Sequence, residues 1–175
     1  MSCRLVAFLL LLGGTAGAQE PATPTPASHY RFWISGGLGV GQGHRRVPPD
    51  LGFAASVSAT YQPGLPLVSA RTAGVWGIIH GDVLADVALL AGVGTRGRRS
   101  HASIAIGPAL TKGTVGSFGG HPVDYSSTLG AAIQVQLFGI ALQSIGLGLS
   151  GFADLNRHQS FGGVTLNFSL GQFPQ

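Results

Sequence analysis

The chain has 175 residues, room for one domain, with 29 glycines, 9% charged residues and a formal charge of +4. An average chain is ~25% charged and ~7% glycine, so these values exclude a charged disordered tail. They also exclude a long solvent-exposed helix, because each interior glycine costs ~1 kcal/mol.

Residues 1–18, MSCRLVAFLLLLGGTAGA, read as a cleaved secretory signal peptide. Arg4 gives the positive start, Leu5 to Leu12 the apolar run, and Ala16-Gly17-Ala18 the small-residue cleavage site. The apolar run is short for a helical span of ~20 residues. The only cysteine, Cys3, lies inside this segment, so the mature chain is expected to carry no thiol chemistry. Residues 19–28, QEPATPTPAS, are polar and proline-rich and read as a flexible leader. The third expected segment, 29–175, is a β-barrel.

From Arg31 onward the apolar pattern has a period of two, the spacing of a strand with two unlike faces. Arg31–Gly41 sets Phe32, Ile34, Leu38 and Val40 against Trp33, Ser35 and glycines. Leu51–Gln62 sets Leu51, Phe53, Val57 and Tyr61 against Ser56, Ser58, Thr60 and Gln62. In Val68–Ile78 the pattern is poorest, with Val68, Ala70, Thr72, Trp76 and Ile78 as the apolar face and Arg71 opposite. Asp86–Thr95 carries Val87, Leu89, Ala91 and Val93 on one side, and His101–Thr111 carries Ala102, Ile104, Ile106 and Leu110. Leu129–Leu137 sets Leu129, Ala131, Ile133, Val135 and Leu137 against Gln134 and Gln136, and Ser144–Ala153 carries Ile145, Leu147 and Leu149. Ser160–Leu170 closes the series, with Val164, Leu166, Phe168 and Leu170 opposed to Gly163, Thr165, Asn167 and Ser169. Each segment is near the ~9–11 residues that a tilted strand needs to cross a bilayer.

The expected connections are Gln42–Asp50, Pro63–Pro66, Ile79–Ala85, Arg96–Ser100, Lys112–Thr128, Phe138–Gln143 and Asp154–Gln159. Odd-numbered ones tend to be longer, the asymmetry of outer-membrane barrels. The polar faces are Gly, Ser, Ala, Thr and Gln, poor material for a solvated exterior; Lys112 is the only lysine and Glu20 the only glutamate. Charges fall mainly in the expected connections, among them Asp50, Asp82, Asp124 and Asp154. Together these predict an all-β, eight-stranded, antiparallel up-and-down transmembrane barrel with hydrocarbon outside and small polar groups inside. Tyr30, Phe32, Phe53, Tyr61, Trp76 and Phe173 are expected at the two membrane interfaces. Arg71, Gln134 and Gln136 are expected in the lumen, where Arg71 needs a partner: Gln62, one of those glutamines, or an acid the sequence does not single out. Two rivals are a helical span over the uncharged stretch Thr128–Ala153 and a secreted, soluble, lipocalin-like barrel.

Gly163-Val164-Thr165-Leu166-Asn167-Phe168 resembles the C-terminal β-signal of outer-membrane barrels, although the chain continues past the aromatic residue through Phe173 to Gln175. With the signal peptide and eight strands, the mature chain is similar to the small OmpA/OmpX-type barrels. That resemblance implies a bacterial outer-membrane location and recognition of Gly163, Leu166 and Phe168 by the barrel-insertion machinery. No cofactor and no nucleic-acid partner is expected; lipid is. His29, His44, His80, His101, His121 and His158 show no ligand spacing. The expected role is structural, or contact with a surface ligand through loops 42–50 and 112–128. A narrow conduit is the alternative. A second is a lipid A hydrolase of the PagL type, for which His158 and Ser160 match but the glutamate is missing.

Overall fold

A computed structural model describes residues 31–43, 50–78, 81–95, 100–117, 120–142, 144–158 and 160–172. The expected signal peptide and leader, Tyr30, Phe173, His29, His44 and His80 lie outside the described residues. Eight strands run in chain order: β1 Arg31–Gly43, β2 Asp50–Gln62, β3 Pro66–Gly77, β4 Val83–Gly94, β5 Ser100–Ser117, β6 Gly120–Leu142, β7 Ile145–Leu155 and β8 Phe161–Gly171. Each pairs antiparallel with the next, and β8 returns to β1, closing the barrel. Closure leaves no edge within the wall itself, where each strand is paired on both sides. Both ends of the described chain lie at one end of the barrel, where Trp33 pairs with Gly171. We call this the terminal end and the opposite one the distal end.

The two faces separate by exposure. On β8, Val164, Leu166 and Phe168 are 52%, 67% and 45% exposed, whereas Thr165 and Asn167 are 0% and 4%. The same alternation holds on β2, with Phe53 and Val57 outside and Ser56, Ser58 and Thr60 inside. On β3 it places Val68 and Trp76 outside and Arg71 inside. A water-soluble barrel has the opposite arrangement. The stretch Thr128–Ala153, considered above as a helical span, is divided between β6 and β7. Among the described residues no helix is long and apolar enough to cross a membrane.

Three expectations are corrected. Lys112–Thr128 is not a loop: β5 and β6 continue as a paired ribbon through Thr114–Asp124 and Val115–Val123 to Ser117–Gly120. Phe138–Leu142, read as a connection, belongs to β6, and Asp50, Asp124 and Asp154 lie in strands, Asp154 fully buried. Finally, the interior is not lined by small polar groups alone. Ala54, Ala73, Val75, Leu84, Phe152 and Phe161 form an apolar cluster toward the distal end. Trp33 and Phe138 form another at the terminal end.

Close strand approach explains part of the glycine content. A Cβ on Gly39 would sit 2.0 Å from the Val164 carbonyl oxygen of β8, whereas one on Gly36 would meet nothing within 4 Å. Gly39→Ala should therefore destabilise the barrel by ~1–3 kcal/mol, the cost of overpacking, while Gly36→Ala stays within ~0.5 kcal/mol of the parent. Urea unfolding of both variants in lipid vesicles measures the contrast.

Candidate functional site

The interior is the first place to look for chemistry, and hydrogen-bonded side chains fill it. Ser35 Oγ and Ser169 Oγ are 2.7 Å apart, and Thr60 Oγ1 and Ser69 Oγ 2.9 Å apart. Thr165 donates to Asn167 Oδ1 at 2.7 Å, and Gln136 Nε2 donates to Ser58 Oγ at 3.2 Å. The two hydroxyl pairs join neighbouring strands, Gln136 reaches across the lumen to Ser58, and Thr165–Asn167 lies along β8; each satisfies a polar group that burial would otherwise penalise.

Arg71 carries a separate set of interior contacts. It is 2% exposed and forms a fully buried ion pair with Asp86 of β4. Its Nη1 also reaches from β3 to the Ile133 carbonyl oxygen of β6, at 3.0 Å. The guanidinium carbon lies 5.5 Å from the centre of the Phe152 ring on β7, within cation–π range. Asp86 is held in turn, because its Oδ1 accepts the Ala73 backbone N–H at 2.9 Å. Asp86 is the acid that the sequence reading did not single out. The clue was available: one residue on the polar side of an otherwise apolar strand, with its charge opposite to that of Arg71. Of the three residues expected in the lumen, Arg71, Gln134 and Gln136, all are 4% exposed or less. The structure brings Gln136 onto Ser58 rather than onto Arg71.

At the terminal end His101 stacks on Phe138 (centroids 4.7 Å apart) and meets Trp33 edge-on at 4.9 Å. This aromatic cluster fills the lumen below the Arg71 layer. Among the described residues, no group of three His, Cys, Asp or Glu side chains is arranged to hold a metal ion.

At the distal end the β7–β8 turn contains the His-x-Ser pair. Ser160 Oγ donates to the Asn156 carbonyl at 2.9 Å and accepts the Asn156 N–H at 3.1 Å, so the hydroxyl ties its own turn together. Asn156 Nδ2 donates to Asp154 Oδ1 at 2.8 Å and Thr111 Oγ1 at 3.3 Å, tying the turn to the lumen. His158 is exposed, and its backbone N–H donates to Asn156 Oδ1 at 3.0 Å. A nucleophile needs its proton on a neighbouring base; the Ser160 proton goes to a carbonyl.

The exterior carries the other predicted residues. Phe32 pairs with Tyr61 at the terminal end, and Phe53 with Trp76 toward the distal end. All four rings are more than 40% exposed. Leu166 and Phe168 point outward. Gly163 faces in, where a Cβ would lie 2.9 Å from the Val40 carbonyl oxygen.

Beyond the barrel wall stands the β5–β6 ribbon. The pairing of β5 with β4 ends at Thr114, opposite Val83, and that of β6 with β7 begins at Ala131, opposite Leu155. Among the described residues no strand covers the β7 side of β6 between Gly120 and Gly130. That is roughly 35 Å of strand at ~3.3 Å per residue, with one edge open. Thr114 Oγ1 donates to Asp124 Oδ1 at 2.7 Å across its base.

A closed eight-stranded barrel with an apolar exterior, a packed polar interior and a strand ribbon at one end has the fold of the small bacterial outer-membrane barrels. Among solved structures it is similar to Neisserial surface protein A (NspA), with a TM-score of 0.63 and 10% identity over 79% of this chain and 96% of that one. It is also similar to Ail, the attachment invasion locus protein of Yersinia pestis (0.59, 14%, 82% and 98%). A third is the N-terminal β-barrel domain of Pseudomonas aeruginosa OprF (0.57, 10%, 81% and 96%). No protein-family model matches the sequence, and no curated protein matches it.

Proposed function

We propose that the chain is a non-enzymatic barrel of a bacterial outer membrane, with the distal end outside the cell and the β5–β6 ribbon as its contact element. The open edge of β6 carries this reading. Backbone N–H and C=O groups along an uncovered strand are a ready template for another chain. The exterior apolar band supports insertion, and Phe32, Tyr61, Phe53 and Trp76 suit the two interfaces, with Tyr30 and Phe173 proposed to join them. Gly163, Leu166 and Phe168 are proposed as the contact for the insertion machinery.

The proposed external surface comprises the segment 42–50, of which Gln42, Gly43 and Asp50 belong to the paired ends of β1 and β2 rather than to a loop, and the ribbon at 112–128. Ail has also been solved in complex with the heparin analogue sucrose octasulfate, which makes heparin a suitable first probe. Cells exporting the full chain should retain heparin-coated beads, and replacing Val115–Val123 by a short turn should abolish retention while the barrel still inserts. Equal retention by the shortened variant would overturn the assignment of contact to the ribbon.

The conduit is disfavoured by the inward side chains, which are nearly unexposed and can fill a lumen as narrow as that of eight strands. The hydrolase is disfavoured by the Ser160–Asn156 bonds. The soluble lipocalin-like barrel is disfavoured by the exposed Leu166 and the buried Thr165.

A further inference from the structure

Among the described residues the ionisable side chains buried inside the barrel are Arg71, Asp86, His101 and Asp154. Arg71 and Asp86 cancel each other in their ion pair. His101 lies at the terminal end, packed against Trp33 and Phe138. Asp154 is fully buried near the distal end of β7, and no described side chain forms an ion pair with it. One of its oxygens is provided for, since Oδ1 accepts Asn156 Nδ2 at 2.8 Å. The other, Oδ2, is buried and accepts no hydrogen bond from the described residues. The register gives the reason: the cross-strand neighbours of Asp154 are Ala132 on β6 and Phe161 on β8, and neither side chain carries a donor. A carboxylate taken out of water with its charge unmatched is strongly penalised, so the neutralising group has to come from outside the chain.

The surroundings of that carboxylate select the kind of group. Thr111 Oγ1 on β5, also fully buried, shares the Asn156 amide with Asp154, at 3.3 Å. A Cβ on Gly130 of β6 would lie 3.2 Å from Asp154 Oδ1 and 2.7 Å from the Leu155 carbonyl oxygen, so glycine leaves that space beside the carboxylate free of a β6 side chain. Carboxylate, hydroxyl and carbonyl oxygens are the ligands of hard cations. The three-residue His, Cys, Asp or Glu arrangement of a transition-metal site is absent among the described residues. Charge narrows the choice further, because a monovalent ion cancels one excess negative charge, whereas a divalent ion would leave a buried positive charge in its place. Asp154 also borders an open groove of about 700 Å³ at the distal end, with Gln42 and Ser160 among its other walls, which gives a small ion an entry path.

We propose that the distal end of the lumen binds a monovalent metal cation of the sodium type, with the Asp154 carboxylate supplying the charge and Thr111 Oγ1 and the Leu155 carbonyl as further oxygen ligands. Bound there, the ion ties the end of β7 to β5 and β6. That is the level at which β6 parts from β7, beyond the Ala131–Leu155 pair, and runs on into the ribbon.

The test unfolds the purified full chain with urea in phosphatidylcholine vesicles at neutral pH, in sodium chloride and in N-methylglucamine chloride of the same ionic strength. Sodium should lower the parent's unfolding equilibrium constant about tenfold, the linkage expected for an ion present at about ten times its dissociation constant. Asp154→Asn keeps the size of the side chain and removes its charge, and should lose the sodium response. Thr111→Val keeps the charge and removes one ligand, and should need more sodium for the same response. Asp124→Asn makes the same change in net charge on an exposed side chain of the ribbon and should respond as the parent does. No response in the parent, its persistence in Asp154→Asn, or its loss in Asp124→Asn would each overturn the site. If Asp154→Asn does not fold, Thr111→Val decides, and an unchanged sodium dependence there overturns the site. A larger effect of calcium than of sodium at equal ionic strength would overturn the monovalent assignment. A parent stabilised by acidification alone, with no sodium response, would replace the ion with a proton on Asp154.

Discussion

Arg71→Ala and Asp86→Ala should each destabilise the barrel by ~3–5 kcal/mol, because either change leaves a charge buried without its partner. Both side chains of the pair are 0% exposed, and once Asp86 is removed Arg71 would keep the Ile133 carbonyl and the Phe152 ring. Replacing both together, Arg71→Met with Asp86→Leu, should recover most of the loss. A buried ion pair often contributes little net stability against an apolar pair of similar volume. Urea unfolding in vesicles, read as a double-mutant cycle, gives the coupling directly. Single-variant losses below ~1 kcal/mol would mean that water reaches the pair and that the interior is hydrated rather than packed. The same packing predicts no steady ohmic current through the parent protein in a planar bilayer, and a linear current–voltage relation would defeat it.

The strands of the wall were legible in the sequence because an apolar exterior and a polar lumen impose an alternation that the residues must carry. Val164, Leu166, Phe168 and Leu170 could be assigned to one face from spacing alone, and so could the placement of Arg71 on the other face of a weakly patterned strand. The β5–β6 ribbon was not legible, and the reason is physical. Among the described residues, β5 beyond Thr114 and β6 before Ala131 pair with each other and with no strand of the wall, so barrel closure selects no alternation there. Lys112–Thr128 therefore shows the Gly, Ser and Asp content of a loop. Phe138 was hidden by a different cause. It points inward against His101 and Trp33, and a large ring on the polar face interrupts the very pattern used to draw the strand. Asp154 read as a loop charge because its partner, Asn156, follows it in the turn and becomes visible only once that turn is folded. The interior network as a whole could not be read, since spacing assigns a face but not which of the other seven strands a side chain reaches.

The identity of the solvent outside is itself testable through depth. Leu166 is 67% exposed in mid-strand, between Leu38 of β1 and Leu149 of β7. Leu155 is 53% exposed at the distal end of β7. An arginine near the middle of a hydrocarbon layer costs ~2–4 kcal/mol, falling to ~0–1 kcal/mol near the interface. Leu166→Arg should therefore cost several times more than Leu155→Arg when the chain is refolded and unfolded in phospholipid vesicles. Refolding there uses no insertion machinery, so the comparison is independent of any part Leu166 plays in the β-signal. Water outside would make both substitutions nearly neutral, within ~0.5 kcal/mol, as at ordinary surface positions. Thr165→Val supplies the inward control. It removes the hydroxyl that donates to Asn167 and lies 3.2 Å from Ser56, and should cost ~1–3 kcal/mol by leaving buried groups unpaired. A gradient on Leu166 and Leu155 together with that inward loss requires hydrocarbon on one face and a packed polar interior on the other. Equal effects at Leu166 and Leu155 would exclude a membrane-spanning wall.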